Sequence, residues 1–193
     1  MDWGKVILLV IGAGVVVLLV YAITLYNQLV AVKHAVTQAW SNIDVLLRQR
    51  HEELPKLVEA CRQYMQYEQA TLERVISARN AVSQARDRSD VKMLGQAETA
   101  LRTGLGQLFA LAENYPQLQA NASFQHLQQR ISGLENGIAD RRELYNAAVN
   151  INNVRIEQFP DVLIARMFNF QAAELLRFSE AEKADVDLRQ LFS

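Results

Sequence analysis

The run from Val6 to Tyr26 reads VILLVIGAGVVVLLVYAITLY and holds no charged side chain. Coiled as an α-helix at 1.5 Å per residue it is about 30 Å long, the hydrocarbon thickness of a bilayer, and its backbone polar groups pair internally. The expectation is a transmembrane anchor over residues 1–28, followed by a structure that works at a bilayer surface. A cleaved signal sequence fits less well, because only Lys5 supplies a positive start, the apolar run is too long, and Val20-Tyr21-Ala22 makes a poor cleavage site. A buried core helix can also be apolar all round, but rarely over such a length. Trp3 at one end, and Tyr21 with Tyr26 at the other, stand where amphipathic rings settle at the two membrane interfaces. Gly12 and Gly14 flank Ala13 without GxxxG spacing, so they read as helix flexibility rather than an association motif. Lys5 on one side is nearly balanced by Lys33 and His34 on the other, and a cytoplasmic soluble domain is favoured over a periplasmic one.

About 160 residues remain beyond the anchor, enough for one domain with a real core, expected as a helical bundle over residues 29–178. The chain has 20 Lys and Arg against 21 Asp and Glu, so no global field recruits nucleic acid, and no dense basic patch does so locally. Cys61 is the single cysteine, which rules out an intramolecular disulfide. Only 3 Pro and 8 Gly occur in 193 residues rich in Ala, Leu, Gln, Glu and Arg, a composition of long helices, and an all-α fold follows.

Helical periodicity continues past the anchor. Leu29, Val32, Val36, Trp40, Ile43 and Leu47 step by three and four, so the anchor should pass into an amphipathic helix without interruption. Pro55 removes one donor and predicts a kink or short break around His51 to Leu54. A second helix is expected from Leu54 through Leu57, Cys61, Tyr64, Met65, Leu72 and Val75 to Val82, ending at the charged turn Arg86 to Asp90. A third should run from about Ser89 to Asn114 on a stripe of Val91, Leu94, Leu101, Leu105, Leu108 and Leu111, with Tyr115-Pro116 as its stop. A fourth should begin at an N-cap near Ser123, carry Phe124, Leu127, Ile131, Leu134, Ile138, Tyr145 and Val149 on one face, and fray at Asn150, Asn152 and Asn153. The segment from Asp161 to Phe178 is too apolar to be left in water; it either folds back over the bundle or meets a neighbour. Residues 179–193 form an acidic tail in which Leu188, Leu191 and Phe192 offer either a docking tip or a frayed end.

Several polar residues interrupt the apolar stripes. Glu68 lies between Tyr64 and Leu72, Arg79 follows Val75, and Glu135 borders Ile131 and Ile138, while Arg141, Arg142 and Asn146 cluster near Tyr145. Buried ions are tolerated only when paired, so the expected pairs are Glu68 with Arg141 or Arg142, and Arg79 with Glu135, fixing helix or subunit register. The alternative is that they are half-exposed edges of wide stripes. Catalytic and cofactor signals are sparse. His34, His51 and His126 are scattered and no HExxH or CxxC occurs, so neither a metal site nor a cofactor is expected. Cys61 on an apolar face reads as a small hydrophobe, and Gly104-Leu105-Gly106 falls inside a helical pattern rather than in a phosphate loop. Glu52 and Glu53 before Pro55 suit a helix's first turn better than an acid/base pair. No catalytic residue and no small-molecule substrate is evident.

The run YNQLV at Tyr26 to Val30, AWSNIDVLLRQR at Ala39 to Arg50, LPKLV at Leu54 to Val58, Tyr64, Glu68 and Ala78-Arg79 resemble the N-terminal half of LemA-family membrane proteins. NYPQLQANASF from Asn114 to Phe124, then Glu135, Ile138, Arg142, Tyr145-Asn146, Val149, Asn152 and Phe159-Pro160 resemble the second half. Glu53 stands where the family usually shows Asp, and Asn169 precedes Phe170 where Gly-Phe is usual. The resemblance implies an anchored bundle of long antiparallel helices at a bacterial inner membrane, without established enzymatic activity. A relative of the family is associated with building a bacterial organelle membrane. The implied partners are the lipid bilayer, further copies of the chain in a homo-oligomer, or another membrane protein such as a protease or transporter.

Overall fold

The apolar run opens a single unbroken helix, α1 (Trp3–Arg62), of 60 residues. In the computed structural model, which describes residues 3–178, it is followed by α2 (Gln69–Asp87), α3 (Val91–Ala112), the short α4 (Pro116–Gln119), α5 (Ala122–Glu157) and α6 (Asp161–Met167). No strand occurs among the described residues, and the fold is all-α. The acidic tail expected at 179–193 lies outside the described residues. The chain divides into two compact units, residues 40–145 with 174–178 forming the bundle, and residues 3–39 with 146–173 forming the other.

In the bundle, α1 and α5 run antiparallel. Asn121 donates to the Tyr64 hydroxyl at 3.2 Å, Arg50 meets Glu135, Leu46 faces Gly137, and the Trp40 and Tyr145 rings stand 5.5 Å apart, so each step along α1 is matched by a step back along α5. The hairpin of α2 and α3 supplies Leu72, Val75, Leu94, Leu101, Leu105 and Leu108, which close the core with Ile43, Leu47, Leu54, Leu57, Phe124 and Ile131. Asp90 caps α3 by accepting from the Met93 amide at 2.8 Å, Pro116 opens α4, and Asn121 rather than Ser123 caps α5, its side-chain oxygen accepting from the Ser123 and Phe124 amides at 2.9 and 3.1 Å.

The expected breaks in α1 and α2 are misplaced. The second helix does not run unbroken from Leu54, because residues 63–68 form a turn closed by Met65 N–H donating to Cys61 C=O at 2.8 Å. No Gly or Pro announces it; Met65 is wholly buried there, and the Tyr115 hydroxyl reaches Glu68 at 3.4 Å. Tertiary packing sets this break rather than local propensity. Conversely, α1 continues through Pro55. The proline's missing N–H strands the carbonyl four residues back, that of His51, and Arg79 Nε donates to this oxygen at 2.9 Å. Leu54 and Leu57, both buried, flank the proline on either side.

The other unit holds the apolar part of α1, whose most apolar 18 residues have a mean hydropathy of 3.1 with none buried, together with the end of α5, α6 and the residues that follow. By length and composition it is the one helix among the described residues suited to crossing a membrane. Here α5 does not fray. Buried Asn152 donates to the Gln171 carbonyl at 3.3 Å, and Asn153 exchanges two hydrogen bonds of 2.9 Å with the backbone of Ala173. These asparagines clasp the returning chain. Arg155 joins Gln28 at 2.5 Å to buried Asp161 at 3.0 Å. α6 ends with Asn169 at φ 55° and Phe170 N–H donating to Ala165 C=O at 2.9 Å, a left-handed cap that asparagine tolerates better than any residue but glycine.

The Pro55–Arg79 relation is open to a double-mutant cycle on the full chain in detergent, followed by urea unfolding. Arg79→Met should cost about 1–3 kcal/mol by stranding the His51 carbonyl, and Pro55→Ala in the same chain should recover most of that by restoring the intrahelical donor. A cost that is the same with and without Pro55 would refute the compensation.

Candidate functional site

The polar seam of the bundle is centred on Arg50. Its helical spacing from Ile43 and Leu47 aims it into the core, where it is 1% exposed. One guanidinium nitrogen, Nη2, donates to Glu98 Oε1 on α3, and the other, Nη1, to Glu135 Oε1 on α5. Glu98 is fully buried, while Glu135 keeps partial contact with solvent and lies 3.5 Å from Arg102 Nε. Two carboxylates thus stand against two guanidinium groups, and three helices meet at one cation. Burial alone would push the Arg50 guanidinium down, but the charges of Glu98 and Glu135 and their hydrogen bonds outweigh it and hold its pKa above the ordinary value. Burial pushes the Glu98 carboxyl up, the charge and hydrogen bond of Arg50 oppose the rise, and the neighbouring charge of Glu135 adds to it. Glu98 Oε2 has no hydrogen-bond partner among the described residues.

The seam extends to the returning chain. The Phe178 ring is buried beneath Arg142, whose guanidinium carbon is 4.1 Å from the ring centroid, with that of Arg102 at 5.9 Å. Tyr145 donates to the Glu174 carbonyl at 2.9 Å. Gly95 on α3 lies beneath the same segment; a Cβ there would stand 2.0 Å from the Arg177 carbonyl oxygen, so only glycine admits the backbone this closely.

The expected pairings are redistributed. Glu135 is paired with Arg50 and Arg102 rather than with Arg79, whose guanidinium serves the His51 carbonyl. Glu68 accepts from Tyr115 instead of meeting Arg141 or Arg142. The antiparallel register explains this, since Tyr64 lies opposite Asn121, and Arg141 is about twenty residues, roughly 30 Å, further along α5. Arg141 is exposed, and Asn146 is half-buried in the other unit. Among the anchor aromatics, Trp3 and Tyr21 are exposed, and Tyr26 lies against Phe168 and Phe170, with ring centroids 4.7 and 5.9 Å away. Arg50 and Glu98 were not singled out from sequence. The signal was present in the gap at position 98 within the stripe Leu94, Leu101, Leu105, and at position 50 between Leu47 and Leu54.

Cys61 is buried, and burial pushes its thiol up to about 12, so it is a poor nucleophile at neutral pH. No group of three or more metal-ligating side chains occurs among the described residues. The arrangement resists relative sliding of α1, α3 and α5, because any shift would leave a buried charge without its partner.

Comparison with known proteins adds relatives. The sequence pattern of the LemA family matches residues 39–189. Magnetosome protein MamQ 2 of Paramagnetospirillum magneticum is 33% identical over 101 residues, 52% of this chain and 37% of that protein. Magnetosome protein MamQ of Magnetospirillum gryphiswaldense is 29% identical over the same extent. Protein LemA of Metamycoplasma hominis is 25% identical over 167 residues, 86% of this chain and 74% of that protein. The matched region spans little more than a third of the magnetosome relatives' own length.

Substituting Arg50→Met in the full chain should cost about 3–5 kcal/mol in denaturant unfolding, because two carboxylates lose a buried partner. Removing the charges together, as Arg50→Met with Glu98→Leu and Glu135→Gln, should restore much of it; equal losses in the single and triple variants would count against a pairing origin. The neighbouring His51 gives a pH signature. Burial, then Arg79 and Arg86, hold its pKa below the ordinary 6.5, with Asp87 and Glu52 opposing. The folded state therefore favours neutral His51, a contribution complete above 6.5 and lost as pH falls from there toward the depressed value. Glu98, raised by burial, acts in the opposite sense, so the readout is a difference: between about pH 7.5 and 5.5 wild type should lose more stability than His51→Gln.

Proposed function

Since the chain belongs to the LemA family, we propose that it is a non-enzymatic scaffold, anchored in the bacterial inner membrane by α1, that assembles with copies of itself to organise the membrane. The observation that carries this reading is the apolar part of α1, long enough to cross a bilayer, with an 18-residue stretch of which none is buried. A soluble protein gains nothing by exposing such a surface. The bundle adds support, because its charged groups are spent on holding helices in register: Arg50 on Glu98 and Glu135, Arg79 on a stranded carbonyl. The magnetosome relatives, matched over half of this chain, suit a role in membrane organisation. The bundle is assigned to the cytoplasmic side. Another membrane protein, held as a client by an adaptor, is the competing occupant of the same surfaces.

One set of measurements on the full chain separates these readings. Mass determination after extraction in mild detergent should give a discrete multimer, cross-linking in native membranes should give mainly self-links, and a reporter fused after Ser193 should be active in the cytoplasm. A strictly monomeric particle, or one dominant foreign cross-link, would replace the scaffold with an adaptor.

A further inference from the structure

Helix α6 is inside out for a helix in water. Its buried residues are Asp161 and Ala165, whereas Leu163 is 57% exposed and Met167 73%, with Phe159 before the helix at 78% and Phe168 after it at 54%. Leu163 and Met167 are four residues apart and share a face, roughly opposite Ala165. Asp161 and Ala165 are turned inward and Leu163 and Met167 outward, with Val162 and Ile164 half-buried between them.

The position of this helix says what covers it. The Phe168 ring stands 4.7 Å from that of Tyr26, the last residue of the apolar run, and Phe170 lies 5.9 Å from the same ring. Tyrosine at the end of a span settles at the level of the lipid headgroups. α6 has seven residues, so at 1.5 Å each Leu163 lies within about 10 Å of Phe168, comparable to the depth of the headgroup and upper acyl layer. About two turns beyond Tyr26, Lys33 and His34 line a cavity of about 280 Å³ with Phe168 and Phe170, and Arg166 on α6 is exposed. Basic side chains at this level favour anionic headgroups.

We infer that α6, with Phe159 and Phe168, lies in the interfacial layer of the same bilayer that α1 crosses, as a second, monotopic attachment of the chain. The inference rests on α1 being a membrane span, as proposed above. The Tyr26 ring contacts hold α6 at the surface, its apolar face enters the lipid, and Arg166 meets the phosphates.

The test uses the full chain in a Cys61→Ala background, reconstituted in vesicles of phosphatidylcholine and phosphatidylglycerol that carry nitroxide lipids labelled both close to the headgroup and deep in the acyl chain. An environment-sensitive fluorophore is attached at Leu163→Cys or Met167→Cys, with Leu18→Cys as a control within the span and Gln66→Cys, exposed in the bundle, as the aqueous control. The expected result is loss of emission to the lipid nitroxide at 163, 167 and 18, and none at 66. Quenching at 18 alone overturns the attachment and leaves the anchor intact. Absence of quenching at 18 as well removes the anchor and the attachment together. Probes at 163 and 167 shielded from aqueous iodide yet untouched by the nitroxide would mean that protein, such as a second copy, covers α6, and this too overturns the inference.

Discussion

The bundle depends on a single buried cation. Arg50 reaches α3 through Glu98 and α5 through Glu135, and each of these bonds is worth far more as a constraint than as a gain in stability. Desolvating a guanidinium and a carboxylate costs several kcal/mol per ion, roughly what their attraction returns. A helix shifted by one turn, about 5.4 Å, would incur the first without the second. Apolar stripes such as Leu94 to Leu108 are tolerant of such slips, because one leucine resembles the next. The charged triad is not, and it selects one alignment among several that the hydrophobic pattern would accept.

The same logic applies to backbone groups. Pro55 lies deep in α1, where it ought to interrupt the helix, and the interruption is absorbed because an arginine from α2 takes over the orphaned His51 carbonyl at 2.9 Å. Arg79 therefore ties α2 to α1 at a site created by the proline. In the other unit, Asn152 and Asn153 do for the returning segment what a strand partner would do, satisfying carbonyls and one amide of a stretch with no regular structure of its own. Irregular backbone is tolerated where side chains complete its hydrogen bonds.

What was legible in the sequence follows from this division. Periodicity gave the helix class, the apolar faces, the charged turn at Arg86 to Asp90 and the stop at Pro116, because those depend on local rules of spacing and donor loss. The turn at 63–68 was not legible, since nothing in Gln63-Tyr64-Met65-Gln66-Tyr67-Glu68 disfavours helix; burial of Met65 and the reach of Tyr115 decide it. The presence of charges in the seam was legible, but their pairing was not. Pairing requires the relative register of helices far apart in sequence, and Arg50 lies 48 residues from Glu98 and 85 from Glu135. Asparagines at 152 and 153 look like a fraying end when read alone, and become a clasp only when the chain returns.

The two departures from the family's usual residues fall where physics leaves room for them. Glu53, in place of the usual Asp, is nearly buried, with one carboxylate oxygen 3.0 Å from Arg130 on α5 and the other 3.2 Å from Lys56. The extra methylene spans to α5 while keeping the local pair. Asn169, in place of the usual Gly, sits at φ 55°, where a Cβ is disfavoured for most residues but a short amide side chain is accepted. In this chain the first position holds a nearly buried carboxylate and the second a left-handed turn. The second bears directly on the rings around Tyr26. Without the left-handed turn after α6, Phe170 would not return its amide to Ala165 and the ring pair on Tyr26 would lose its geometry.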